Sequence, residues 1–368
     1  MTAWMLKFSA SALALAVALS ASACGGGSTG TATTVAAGGA GGAGATAEAK
    51  ITARLAASGA TFPTAYYEQT VADFKKKQAG IIQAYGGGGS GKGRTDLQEQ
   101  VVDWAGTDGL IAEADKAKYK GGEVLYFPTV AAPITVSFNL KGVDKLQLSA
   151  DTVAKIFSRG IKNWDDTAIA ADNPGVKLPT TAITVARRSD GSGTTENFTK
   201  FLVAASPTAW TLKSGSTVEW PTDTQAGNGN AGVAQIVKDT DGAIGYVDLS
   251  DAKASGLKFA SIKNKAGKFV QPTLAGTTAA LQGVALKDDL TYSPLWADGD
   301  AAYPIAAPTW IIVYKKQTDK AKGAAVKAWL GYVLGDGQKT AESLDYAALP
   351  DVIKSKAVAQ LDKIELPA

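Results

Sequence analysis

From Ile51 onward, short runs rich in β-branched and aromatic residues alternate with segments whose apolar residues recur at helical spacing. No other feature of the chain restricts its fold as much. "ITARLAASGATF" predicts a strand running into a Gly-containing turn, and "PTAYYEQTVADFKKKQ" predicts a helix with Pro63 near its start. "IIQAY" predicts a short strand, followed by a glycine loop and a helix over "RTDLQEQVVDW". "VLYFPTVAAPITVSFNL" reads as extended. Ser149 is placed to cap a helix that lasts to Gly160. Strand "AITVARR", helix "TTENFTKFLVAA" and strand "AIGYVDL" follow, with strand "TWIIVYKK" and helix "DKAKGAAVKAWLGYVLG" near the end. This alternation predicts an α/β fold with largely parallel sheets. A chain of 368 residues has room for two lobes with cores of their own.

The residues before Ile51 read differently. Lys7 precedes "FSASALALAVALSASAC", a short apolar run ending at Cys24, which describes a secretory signal over residues 1–23. Ala21-Ser22-Ala23 fits ordinary signal cleavage, and "ASAC" also resembles the bacterial lipobox, with Ala21 where leucine is usual. Cys24 is the single cysteine of the chain and falls where lipidation requires one, so a lipid anchor there is expected. Residues 24–50 are Gly/Ala-rich, lack hydrophobic periodicity and carry no charge before Glu48, the composition of a tether.

What the chain lacks narrows its chemistry. It has no histidine, which removes Ser-His-Asp and Cys-His catalysis and histidine metal sites. One cysteine excludes an internal disulfide and a Cys-rich zinc site. Lys plus Arg at 37 against Asp plus Glu at 34 leaves a net charge of +3, too balanced for a nucleic-acid surface. Neither a cofactor nor a metal is expected.

"YGGGGSGKGRTDLQE" (85–99) sits between a predicted strand and helix, as nucleotide loops do. Gly93 follows Lys92, so the hydroxyl that holds Mg²⁺ in a P-loop is missing, and no acidic ribose partner stands about twenty residues on. A turn using glycine for positive φ is the plainer reading. Ser90, a hydroxyl among glycines with exposed N–H groups, also suits an oxyanion. "SGATFP" (58–63) places Thr61 just before a helix, and "RRSDGSGTTENF" (187–198) places Asp190, Ser192, Gly193 and Thr194 between a strand and a helix. Helix starts present unpaired N–H groups to anions, and Arg188 adds a planar donor fork. Together the three stretches point to a small oxyanion.

With "DWAGTD", "FPTVAAPITVSFN", "KNWDD", "STVEWP", "GNAGVA", "GAIGYV" and "LDYAALP", these stretches resemble the substrate-binding protein of the bacterial high-affinity phosphate ABC importer. The likeness runs from about Leu55 to the end, and "RRSDGSGT" is its most specific part. It implies a two-lobed periplasmic-binding-protein fold (type II), with mixed sheets flanked by helices and two crossing hinge segments. Lobe I would comprise 51–131 plus 305–368 and lobe II 132–304, with "TVAAPIT" and "YPIAAPTW" as crossings. Carried over by position, phosphate would be held by Thr61, Phe62, Ser90, Asp108, Arg188, Ser192, Gly193 and Thr194, with Asp190 orienting Arg188. The implied partners are inorganic phosphate, the importer's permease subunits and, through Cys24, the outer face of the membrane. A monomer and no nucleic-acid partner are expected.

Asp108 carries the chemical argument for phosphate. A carboxylate only accepts hydrogen bonds, so it asks for a proton on the ligand, which phosphate has near neutral pH and sulfate lacks. As a plain turn residue it would leave selectivity unexplained. Two further readings stay open here: a phosphatase on the same scaffold, and a binder of sulfate or another tetrahedral oxyanion. Gly91-Lys92-Gly93 departs from the small residue that usually follows the matching serine, and Lys92 either adds positive potential or points into solvent.

Overall fold

A computed structural model describes Ile51–Ala368. The expected signal segment 1–23, Cys24 and the tether 24–50 lie outside the described residues. The strands are β1 (Ala53–Gly59), β2 (Ile81–Gly88), β3 (Trp104–Thr107), β4 (Val124–Asn139), β5 (Gln147–Leu148) and β6 (Thr184–Arg188). They continue with β7 (Gln225–Gly227), β8 (Ala243–Asp248), β9 (Lys258–Phe259), β10 (Ser261–Lys263), β11 (Phe269–Val270) and β12 (Ala306–Tyr314). A nine-stranded sheet runs β2-β1-β3-β12-β4-β8-β6-β7, with β9 also paired to β4, and β11-β10-β5 form a small second sheet. The sheet is mixed rather than largely parallel. β1 pairs parallel with β2 and β3, and β6 with β7 and β8, whereas β12 and β4 run antiparallel to their neighbours.

β4 is the strand that makes two halves of one sheet. Its residues 124–133 pair with β12, and from Ile134 it pairs with β8 instead. Nearly all of it is buried, as a β-branched and aromatic run covered on both faces should be. The two expected crossings, "TVAAPIT" and "YPIAAPTW", lie side by side here, with Ala306 opposite Pro133 and Ala307 opposite Ala132. The register slips between Thr309 and Trp310, beside Pro128, whose missing N–H cannot join the ladder. A third strand-like contact joins Ala131 to Ala347 through reciprocal hydrogen bonds of 3.1 and 2.7 Å.

Each half has an aromatic core. Tyr67, Tyr85, Trp104 and Trp329 pack together on one side, with Tyr85 stacked on Trp104 at 5.2 Å. On the other, Phe198 stacks on Tyr246 at 4.5 Å and Phe157 meets both. Ser149 caps its helix as expected, but the helix ends at Phe157 rather than Gly160. The glycine loop is also displaced from its reading: Gly86 to Gly88 extend β2, the helix begins at Gly89 and ends at Gln98, and Trp104 opens β3. Among the described residues no helix is long and apolar enough to cross a membrane.

Gly59 closes β1 with φ +137°, and a Cβ there would lie 2.8 Å from the Gly106 nitrogen. Gly59→Ala is therefore expected to lower stability by about 2–4 kcal/mol, through both strained backbone and a clash. A denaturant midpoint within error of wild type would contradict that account.

Candidate functional site

The N-termini of four helices converge between the two halves. They belong to the helices Thr64–Lys77, Gly89–Gln98, Gly193–Ala205 and Gly229–Asp239. Each brings first-turn N–H groups that have no carbonyl partner within the helix, and the positive end of a helix dipole. Hydrogen bonds show how close they come. The Asn230 N–H donates to Thr61 Oγ1 at 3.2 Å, and the Gly91 N–H donates to the Gly191 carbonyl at 2.8 Å. A Cβ on Gly89 (φ +91°) would lie 2.6 Å from the Gly191 oxygen, so only glycine lets these loops meet.

The eight residues expected to hold phosphate, and Asp190, lie at or beside these helix starts. Phe62 is fully buried, and its carbonyl accepts from Tyr346 Oη at 2.7 Å, which fixes the turn carrying Thr61. Ser90 is buried in the first turn of its helix; its Oγ accepts from the Asp108 N–H at 3.1 Å and stands 3.4 Å from Asp108 Oδ2. Asp108 is 2% exposed, and its Oδ1 has no hydrogen-bond partner among the described residues. Burial pushes its carboxyl up to about 7, with Thr309, Arg188, Ser90 and Arg94 pulling the other way.

Arg188 lies 3% exposed at the end of β6. Asp190 grips it in fork geometry: Nε donates to Oδ1 at 2.7 Å and Nη2 donates to Oδ2. Nη1 donates to Asn230 Oδ1 at 3.1 Å and, at 3.5 Å, to Thr194 Oγ1. Burial alone would raise the Asp190 carboxyl; the Arg188 guanidinium and the Gly229 N–H hold it below the usual carboxylate range. Ser192 caps its helix by accepting from the Thr195 N–H at 3.0 Å, which leaves its hydroxyl hydrogen free to donate. Lys92 is paired with Asp96 one turn along its own helix and is half exposed. The glycine stretch thus brings Ser90 and a close backbone approach to the cleft, while Lys92 pairs with Asp96.

Gly193 brings its helix against the opposite half, where a Cβ would lie 2.7 Å from Asp108 Cβ and collide with Ser90 Oγ. Gly193→Ala is expected to weaken anion binding by about a hundredfold with little loss of thermal stability, because the methyl clashes across the cleft rather than within either core. Equal losses of stability and affinity would contradict this.

Sequence reasoning assigned no role to three residues that organise the site. Asn230 links Thr61, Arg188 and Thr194, its Nδ2 donating to Thr194 Oγ1 at 3.3 Å. Asn197 Nδ2 donates to the Asp108 carbonyl at 2.6 Å, across the cleft. Tyr246 Oη donates to or accepts from Thr195 Oγ1 at 2.7 Å and accepts from the Arg188 N–H at 3.2 Å. Asn230 sits in the quoted "GNAGVA", and the structure places it in the first turn of the helix Gly229–Asp239. Among the described residues no group of three metal-ligating side chains comes together.

A cleft between two α/β halves, lined by helix N-termini and one buried arginine, is the architecture of a solute-binding protein. The chain belongs to the PBP superfamily, whose domain matches residues 28–336. Its named relatives are PstS phosphate-binding proteins. It is 37% identical over 330 residues to that of Methanocaldococcus jannaschii, covering 83% of this chain and 84% of the relative. It is 34% identical over 312 residues to that of Pasteurella multocida (83% and 89% covered) and 34% over 325 residues to PstS 2 of Mycobacterium tuberculosis (84% and 87%). In three dimensions it matches a high-affinity periplasmic phosphate-binding protein, PfluDING, bound with phosphate, at TM-score 0.70 and 23% identity, covering 84% and 94%. A human phosphate-binding apolipoprotein matches at TM-score 0.69 and 23% identity, covering 83% and 94%. These structural likenesses carry the two-lobed fold.

Proposed function

We propose that the protein captures inorganic phosphate in the interlobe cleft outside the cytoplasm and delivers it to an ABC importer. The observation that carries this reading is the buried Asp108 carboxyl: its Oδ2 lies 3.4 Å from Ser90 Oγ and close to the helix start at Gly193, and its Oδ1 has no partner among the described residues. That arrangement matches an anion that still bears a proton. Arg188, aimed by Asp190 and Asn230, supplies the balancing positive charge. Thr61, Ser90, Ser192 and Thr194 supply hydroxyls, and Phe62, Ser90 and Gly193 supply N–H groups at helix starts. The role is binding rather than turnover, a reading supported by the relatives named as PstS phosphate-binding proteins.

In this reading lobe I is 51–131 plus 305–368 and lobe II is 132–304. They hinge where β4 leaves β12 for β8. Residues 1–23 direct export, and Cys24 carries a lipid that tethers a monomeric receptor beside its permease. Equilibrium dialysis of the full chain against radiolabelled phosphate tests the central statement. One phosphate retained per chain is expected; none retained by a folded protein overturns it.

A further inference from the structure

Beyond the residues that would touch phosphate, one ion pair spans the cleft. Arg94 leaves the helix Gly89–Gln98 one turn past Ser90, and its Nη1 stands 3.5 Å from Glu196 Oε2, in the first turn of the helix Gly193–Ala205. The two side chains are only 15% and 11% exposed. Each is held by its own half. Arg94 Nη1 donates to Thr107 Oγ1 at 3.2 Å, and that hydroxyl donates to the Gly109 carbonyl at 2.7 Å. Glu196 accepts from Lys200 Nζ at 2.6 Å, four residues along the same helix. Gly109 leaves the space between them clear, since a Cβ there would lie 2.5 Å from Glu196 Cδ and 2.9 Å from Arg94 Nη1.

We infer that the Arg94–Glu196 pair is an interlobe latch that sets how long the closed cleft retains its anion. Opening the cleft leaves neither charge stranded, because Thr107 and Lys200 remain as partners. The contact can therefore be made and broken on every cycle. A cavity of about 380 Å³ borders the pair, lined in part by Thr95, Tyr119 and Ser216, so salt has access to it. The pair bridges elements of opposite lobes, so it stabilises the closed form after encounter and acts on release rather than capture.

The inference rests on the phosphate-capture reading, and the test separates the two. Phosphate association and dissociation rates are measured on the full chain and on Glu196→Gln, Arg94→Gln and the double variant. Glu196→Gln is expected to speed dissociation about three- to tenfold and leave association within about twofold. Wild-type dissociation should quicken between about 20 and 500 mM salt, and that response should flatten in the variant. Arg94 also lies near enough to act on Asp108, so the cycle, not Arg94→Gln alone, isolates the pair; the effects should be non-additive. Arg94→Lys, which keeps the charge but loses the planar fork, should shift dissociation the same way should Glu196→Gln misfold. Unchanged dissociation in the conservative variants, or additive effects, overturns the latch while wild type still binds. Failure of wild type to bind phosphate overturns the capture reading and the latch with it.

Discussion

Replacing Arg188 by alanine is expected to weaken phosphate binding by about thirtyfold to a few thousandfold. The guanidinium is almost fully buried, and in the proposed site it is the cationic fork among hydroxyls, helix ends and the Asp108 carboxyl. Removing a buried, hydrogen-bonded charge from such a site costs about 2–5 kcal/mol. The same substitution strands Asp190, whose side chain is 10% exposed, so the fold should also lose about 3 kcal/mol. Asp190 is held below its ordinary range in the wild type. Its contribution to stability is thus present above the unfolded carboxylate range and lost as pH falls through the folded value. Adding Asp190→Ala to Arg188→Ala should recover much of the thermal midpoint but none of the affinity. Calorimetric binding beside thermal unfolding checks both; binding that survives in Arg188→Ala would remove the arginine from the site.

The second large effect concerns which anion enters. Asp108→Asn gives the site an N–H donor where the wild type has a carboxylate, so sulfate affinity should rise to within about tenfold of phosphate. In the wild type, rejection of sulfate should be worth several kcal/mol, on the order of a thousandfold. The pH sign follows from burial, which pushes Asp108 up to about 7. Below that value the carboxyl keeps a proton and can donate to sulfate; above it the group only accepts. Sulfate competition should therefore weaken as pH rises from about 6 to about 8, and Asp108→Asn should abolish that dependence. Stability carries the matching signature. A carboxyl raised in the folded state contributes most below its unfolded value of 3.8, and that contribution is lost as pH rises through about 7. Asp248 and Asp251 are also raised by burial, so the difference between wild type and Asp108→Asn isolates the Asp108 part.

Much of the site was legible because its residues cluster in short stretches that start helices. Ser192, Gly193 and Thr194 occupy one such start, Ser90 another, and Thr61 a third. Their meeting was not legible from spacing, and the family resemblance supplied it. The glycine stretch was misplaced because glycine shows neither a period of two nor of 3.6; pairing of Gly86 and Gly88 with β1 decides their strand character. The helix read through "VVDW" ends early because Trp104 is drawn into the aromatic core beside Tyr67 and Tyr85. The antiparallel centre of the sheet comes from β12 returning beside β4, a pairing 173 positions apart at Ala306 and Pro133 that no local pattern encodes. Asn197 and Glu196 read as an ordinary helix face until the fold sets Asp108 and Arg94 opposite them.

In the proposed function the cleft reads the proton of phosphate through Asp108. Titration calorimetry of the full chain, freed of phosphate, with phosphate and then with sulfate at about pH 8, beside Asp108→Asn, tests it most directly. Wild type is expected to bind phosphate tightly and one-to-one without sulfate competition, and the variant to gain sulfate binding. Equal preference for the two anions in wild type and variant would contradict it.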